Sequence, residues 1–392
     1  MMKKNAGFTL IELLIAMVIF IIAIAAIARL FITTAGQFKQ QSKITETYIE
    51  GMMGFEELRL DIRHAGNGLP WALNGASYSE ADNDVATPWD DSLLNNTSGV
   101  VTGITAVPRA FVSLNAVGLN GSDVLSVKAI NTAINDASQR WTRVGFGDVL
   151  STDARLRGLS GDDFDNNDRV IVISPGSTDS DSRTLMNTVY PTATPTTYSS
   201  AAAPADLYTT YIIYGIAPPG AATIRMPFNR ADLYVRTPGT MPTQCAGGTG
   251  ILYKATVNHA DGMLTEYPLI DCVADMQVIY RLNMDNDETA GTSSNADGTA
   301  ITANETIVVT AAAVQAVLGD AAELRNRLKE VRVFILAQDG QRDQRYTFPD
   351  AIVTVGDAAL GQNFDFAARG IANWQNYRWK VYELPVRTIN LK

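Results

Sequence analysis

An apolar run near the N-terminus constrains this chain more than any other feature. Residues 8–28 carry a single charge, Glu12. As a helix this run would be about 31 Å long, which matches the hydrocarbon core of a bilayer. Lys3 and Lys4 precede it, so the positive-inside rule predicts a single-pass membrane protein with its N-terminus in the cytoplasm and the rest of the chain on the outer side of the membrane. The run lacks the small-residue cleavage site of an ordinary signal peptide, so we expect it to be retained.

The helical pattern continues beyond the membrane-length run. Up to residue 65 there is no proline, and apolar residues recur at steps of three and four: Ile44, Tyr48, Met52, Phe55, Leu58 and Ile62. Residues 66–70 read GNGLP, a glycine-rich C-cap followed by proline. The sequence predicts one helix from Phe8 to about His64, apolar all round in its first half and amphipathic in its second. Gly36, Gly51 and Gly54 are expected weak points where it bends or frays.

Composition and motif content argue against two functional classes. The net charge of −10 opposes contact with a phosphate backbone, which needs clustered lysine and arginine, so we expect no nucleic-acid partner. The only histidines are His64 and His259, and the chain contains no GxSxG, HExxH or GxxxxGK motif. We therefore expect no enzymatic activity and no organic cofactor.

The remainder of the chain predicts an α+β domain with a mainly antiparallel sheet that wraps the amphipathic half of the helix. Residues 311–329 have the spacing of a second helix, whereas residues 71–122 and 174–208 read as long loops. Short segments rich in β-branched and aromatic residues predict strands at 123–130, 169–174, 210–216, 231–236, 250–257, 276–282, 330–337 and 378–386.

Two cysteines, Cys245 and Cys272, stand 27 residues apart. They are too few for a disulfide scaffold or a four-cysteine zinc site. In an oxidising compartment the pair would close one disulfide, and otherwise both would remain buried thiols. The sequence leaves these two alternatives open.

Two acidic stretches are candidates for calcium binding. In residues 161–168, Asp163, Asp165 and Asn167 place oxygen-bearing side chains at alternating positions, and Asp285 with Asp287 forms a second candidate. Neither stretch has the turn glycine and terminal glutamate of an EF-hand. The alternative is that both are solvated turns, which Asp and Asn favour in any case.

Glu12 needs an explanation, because a carboxylate within a membrane helix costs about 2.5–3.5 kcal/mol on insertion scales. In one interpretation the side chain reaches the membrane interface from the helix end. In the other, the chain is cut after Gly7, so that Glu12 lies one turn from a new cationic amine on Phe8. Within an array of packed helices, Glu12 would then neutralise the Phe8 amine of a neighbouring chain.

At these residues the sequence resembles type IV pilins and pseudopilins. KKNAG followed by FTLIEL at residues 3–13 is similar to their class III signal. The resemblance implies that a prepilin peptidase cuts after Gly7 and methylates Phe8, and that Glu12 serves in assembly. The expected organisation is a leader (residues 1–7), a membrane and filament-core helix (8–32), its amphipathic continuation (33–66) and an exported domain (67–392).

A second resemblance refines the expected role. CAGGTGILY (245–253), PLIDCVAD (268–275), LKEVRVFIL (328–336) and YRWKVY (377–382) are similar to PilW-type minor pilins. This implies a structural subunit of a pilus, with other minor and major pilins, the inner-membrane assembly platform and a tip adhesin as partners. The size of the chain and its long loops favour a position at or near the pilus tip. A J-type pseudopilin of type II secretion, a membrane-anchored binding module and a secreted hydrolase are the alternatives.

Overall fold

The computed structural model describes residues 9–83, 87–148, 150, 164–175, 183–186, 195–284, 291–296, 298, 300–302, 310–357 and 359–391. Within them the helices are α1 (Leu10–His64), α2 (Ala311–Gly319) and α3 (Ala321–Arg327). The strands are β1 (Phe111–Leu114), β2 (Val124–Ala129), β3 (Trp141–Val144), β4 (Arg169–Ser174), β5 (Thr184–Leu185), β6 (Tyr211–Ala217), β7 (Asn229–Arg236), β8 (Gly250–Val257), β9 (Leu264–Leu282), β10 (Thr292–Asn295), β11 (Ala300–Thr302), β12 (Leu328–Asp339), β13 (Ile352–Val355), β14 (Gln362–Asp365) and β15 (Arg378–Val386).

Helix α1 is continuous over 55 residues, a length of about 82 Å. It ends at His64, as predicted, because Gly66 and Gly68 adopt positive φ angles of 81° and 69° that take the chain out of the helix. The glycines expected to be weak points do not interrupt it.

A nine-stranded sheet forms the centre of the described domain. Its strands lie in the order β1-β2-β7-β8-β9-β12-β15, and β10 with β11 extends it beside the far end of β9. All of its strand pairs are antiparallel. A four-stranded sheet (β3-β6-β4-β5) and the β13–β14 hairpin complete the β-structure of the described residues. The predicted α+β fold, a long helix followed by an antiparallel sheet, is confirmed.

The nine-stranded sheet is covered on both faces. On one face the second half of α1 lies against it, with Leu58 and Ile62 fully buried among residues of the main core. On the other face a second core forms around Phe364, Phe366 and Trp379, supplied by the C-terminal segment. Tyr377 and Trp379 are therefore core residues.

Three local predictions need correction. The expected helix at 311–329 is two helices, because the Asp320 carboxylate accepts hydrogen bonds from the amides of Ala322 and Glu323 and starts α3 anew. The strand expected at 276–282 extends back to Leu264. The loop-rich segment 71–122 contains β1 and is anchored to the sheet by buried charges.

Candidate assembly surface

Glu12 is part of the start of α1. Thr9 is the N-cap, and its side-chain oxygen accepts a hydrogen bond from the Glu12 amide at 3.4 Å. In return, Oε2 of Glu12 accepts hydrogen bonds from the Thr9 amide at 2.9 Å and the Thr9 hydroxyl at 2.8 Å. This capping box satisfies donors that a helix start leaves unpaired, and it places negative charge where the helix dipole favours it. Gly7 and Phe8 lie outside the described residues.

The first half of α1 makes no contact that buries its side chains. Every large hydrophobic side chain from Leu10 to Ile32 is more than half exposed. By length and composition, α1 is the one helix of the described residues able to cross a membrane. This surface has to be covered by lipid or by other protein, since an apolar area of this size is rare on a soluble monomer.

The second half of α1 has two apolar faces. Leu58 and Ile62 face the sheet, whereas the opposite side carries an outer stripe, which we define as Phe38, Ile49, Met52, Met53 and Leu60. Phe38 and Met53 are 76% and 75% exposed. The sequence stripe assigned Met52 to the domain-facing side, and this assignment is wrong: Met52 is 53% exposed. The outer stripe continues the apolar surface of the membrane half along the helix.

A buried ion cluster ties α1 to the sheet. The ammonium of Lys254, on β8, lies 2.7 Å from Asp61 and 2.7 Å from Glu57, both on α1. The Thr132 hydroxyl also donates to Asp61, at 3.1 Å. Burial lowers the pKa of Lys254, but the charges and hydrogen bonds of the two carboxylates outweigh it, and the net shift is upward. This cluster fixes the rotation of α1 and thereby which face the helix presents outward.

A close backbone approach sets the distance between α1 and the sheet. The Gly54 position lies directly against the carbonyl of Leu269 on β9, leaving no room for a side chain. At Gly51, by contrast, an added Cβ would meet only the Phe55 ring, at 3.7 Å. Gly54, one of the glycines expected to weaken the helix, therefore lies where the helix backbone approaches the sheet directly.

The structure joins Cys245 and Cys272 in a disulfide, with their Cα atoms 4.9 Å apart. Cys272 lies in a β-bulge of β9 and has a φ of 56°, rare for a residue other than glycine. The bond connects this bulge to the loop before β8.

The calcium candidates are only partly described. Asp163, Asp285 and Asp287 lie outside the described residues. Asp165 is exposed, and its carboxylate lies 3.4 Å from the guanidinium of Arg140, which also pairs with Asp168 at 2.9 Å. Asn167 occupies the exposed turn between them. Among the described residues, no group of three acidic, histidine or cysteine side chains is placed to hold a metal ion.

A buried charge network holds Glu80 and Asn95 on the sheet. The guanidinium of Arg230 is fully buried and pairs with Asp232 at 2.7 Å and Glu80 at 3.3 Å. Glu80 also accepts from Lys128 at 2.5 Å. The network has both signs of charge and is closed by the Asn95 side chain, which accepts from Arg230. Its geometry is that of a structural anchor.

His259 is likewise occupied in a structural role. Its Nδ1 accepts a hydrogen bond from the Arg225 amide at 3.2 Å, and its Nε2 lies 2.9 Å from Oδ1 of Asn229. Burial, with the nearby Arg225 charge, lowers the pKa of His259 to about 4, so the ring is neutral near pH 7.

The N-terminal sequence carries a processing motif. Residues 2–28 match the family model for the prokaryotic N-terminal methylation motif. The chain carries a prepilin-type N-terminus. The motif supports a type IV pilin-like chain, and its family is structural rather than enzymatic. No curated protein and no solved structure matches the chain.

Proposed function

We propose that this chain is a minor type IV pilin of the PilW type. In this proposal the prepilin peptidase cuts after Gly7 and methylates the new N-terminus at Phe8. The subunit then waits in the inner membrane and is extracted into a pilus by the assembly platform. The observation that carries the proposal is the methylation motif at the head of a long helix whose first half leaves every large apolar side chain more than half exposed.

The exposed helix supports assembly as follows. In the membrane, lipid covers the first half of α1. When the subunit leaves the membrane this area needs a new cover, since each Å² of apolar surface left in water costs about 25 cal/mol. Helices of neighbouring subunits supply it, and the outer stripe extends the contact beyond the membrane half. Glu12 then pairs with the cationic amine of a neighbouring Phe8, and this ion pair sets the register between the two helices.

The size of the domain favours a low-copy position. The chain has 392 residues, and its domain includes a long insertion anchored on the sheet and a second core on the far face. Such bulk is easier to place at or near a tip than thousands of times along a shaft. At that position the domain contacts other minor pilins, the first major pilins and a tip adhesin, and contributes to adhesion or motility.

A J-type pseudopilin of a type II secretion system is the second candidate, because the same motif and architecture serve there. Affinity purification of the full-length protein from solubilised membranes distinguishes the two. Recovery of pilus components supports the minor pilin, and recovery of secretion components supports the pseudopilin.

Mass spectrometry of the mature protein tests the processing step. We expect a chain that begins at N-methylated Phe8, and replacement of Gly7 should block this cleavage. Detection of the uncleaved N-terminus in membranes that contain an active prepilin peptidase would contradict the proposal.

The assembly role of Glu12 is tested separately. We expect Glu12→Ala to be cleaved normally but to lower pilus number on sheared cells, because the amine of the neighbour loses its partner. Glu46→Ala is the matched control, since Glu46 lies on the same helix and, among the described residues, pairs with Lys43 at the surface. Normal piliation with Glu12→Ala would refute the pairing.

A further inference from the structure

A groove of about 230 Å³ lies between α1 and the edge of the nine-stranded sheet. Two aromatic rings line it, Phe55 from α1 and Tyr382 from β15, with ring centres 4.6 Å apart. Pro268 and Leu269 of β9 add apolar surface. The volume is below the range of about 300–1,000 Å³ typical of small-molecule sites, and suits one inserted side chain.

Two carboxylates line the same groove. Asp339 accepts a hydrogen bond from the Tyr382 hydroxyl at 2.6 Å, which fixes both side chains. Asp271 is half-buried, and among the described residues no hydrogen bond or ion pair is made by its carboxylate. Burial alone raises the pKa of Asp271.

No described lysine or arginine lines the groove. Lys380 lies outside the lining, with its ammonium 4.6 Å from the centre of the Tyr382 ring. Lys380 thus already contacts the Tyr382 ring, whereas the described lining residues themselves supply two carboxylates and no cation.

The position of Asp271 is fixed by the backbone. Strand β9 pairs with β8 at Ile270 and again at Val273, and the two residues between them form the bulge. Cys272, the second of these, is tied to Cys245 by the disulfide. Since the bulge is clamped, the neighbouring carboxylate is held in place before any partner binds, which lowers the entropic cost of binding.

We infer that this groove receives a lysine or arginine side chain from a helix of a partner subunit. The stem of such a side chain packs on apolar walls, its cationic head pairs with the carboxylates, and a guanidinium also stacks on aromatic rings. We assign this basic side chain to a helix, because Gly51, which lines the groove, is next to Met52 of the outer stripe, against which a neighbouring helix would pack. That the partner is a pilus subunit rests on the proposed function, whereas the recognition of a cation does not.

The cation site is tested first on the purified full-length protein in detergent micelles. The probe is propylguanidinium, followed through the methyl signal of Ile270, which lines the groove. We expect a saturable shift in the millimolar range, no saturable shift with the neutral analogue propylurea, and at least tenfold weaker binding in Asp271→Asn and Asp339→Asn. Asp136→Asn, an exposed carboxylate outside the groove, should bind as the wild type does. Equal binding of the two probes, or unchanged binding in both groove variants, would overturn the inference.

The partner is tested in sheared filaments with a photo-crosslinking residue at Tyr267, beside the groove. We expect a crosslinked peptide from a pilin helix that carries a lysine or arginine within one turn of the crosslink, and its loss in Asp271→Lys. A crosslinked peptide without a basic residue would overturn the helix partner. If the protein enters no filament while propylguanidinium still binds, the proposed function fails and the cation site stands.

Discussion

Replacing Gly54 by alanine tests how closely α1 lies on the sheet. A Cβ at this position would overlap the carbonyl oxygen of Leu269 and lie 2.7 Å from Cγ1 of Ile270. The obstacle is backbone of a central strand, so helix and sheet have to separate locally. Overpacking of this kind costs about 1–3 kcal/mol, against a gain of about 1 kcal/mol in helix propensity. Separation would also loosen the packing of Leu58 and Ile62, so we expect Gly54→Ala to lower the free energy of unfolding by about 1–2 kcal/mol.

Gly51 provides the matched control three residues away on the same helix. Its added Cβ would meet only the Phe55 ring at an ordinary contact distance of 3.7 Å. We therefore expect Gly51→Ala to gain up to about 1 kcal/mol from helix propensity. The two glycine-to-alanine substitutions should therefore change the free energy of unfolding in opposite directions, and the two variants should differ by about 2–3 kcal/mol.

Denaturant unfolding of the full-length protein in detergent measures both variants. All five tryptophans follow residue 70, so their fluorescence reports on the domain and not on the membrane half of α1. If Gly54→Ala is as stable as Gly51→Ala, the close contact between α1 and β9 does not exist as described.

Three further predictions concern buried groups. In denaturant unfolding, Lys254→Met should lower the free energy of unfolding by about 3–5 kcal/mol, because Asp61 stays buried without its cation. Adding Asp61→Leu should recover much of this loss, and no recovery would contradict the pairing. Alkylation without reductant should modify neither Cys245 nor Cys272, and two reactive thiols would refute the disulfide. Replacing both by alanine should lower the free energy of unfolding by about 3 kcal/mol. Burial raises the pKa of Asp275 to about 7, so the folded state keeps a proton that the unfolded chain releases near pH 4. The free energy of unfolding should fall as the pH rises through this window, and Asp275→Asn should flatten the slope.

The sequence predicts those helices and strands whose residue types are characteristic of their structure. The predicted strand at 250–257 coincides with β8, because it is rich in β-branched and aromatic residues. The GNGLP segment placed the end of α1 correctly, because glycine reaches the backbone angles that end a helix. By contrast, β10 reads TSSN, and no side-chain pattern marks it; its place is set by backbone pairing with the end of β9.

The face of α1 that lies on the sheet was harder to predict than the helix itself. Steps of three and four along α1 show that it is helical, but they do not choose between two apolar faces. Met52 was therefore assigned to the wrong side. The choice is made by Gly54 and by Lys254, which lies 193 residues from Asp61 in sequence. Long-range pairs of this kind leave no local pattern, and the same is true of the groove beside Asp271.

Glu12 was found from its motif, and its capping contacts bear on how it serves in assembly. Both hydrogen bonds from Thr9 go to one oxygen, Oε2, and no described contact uses Oε1. The capping box leaves the carboxylate charged, because hydrogen bonds stabilise a negative charge without neutralising it. On the proposed function, a neighbouring Phe8 amine can therefore bind Oε1 while the helix start remains intact. Thr9 then acts as a positioning residue, and Thr9→Val, which removes the hydroxyl but keeps the amide, should weaken assembly less than Glu12→Ala does. Equal loss of pili in both variants would mean that Glu12 acts mainly as a helix cap.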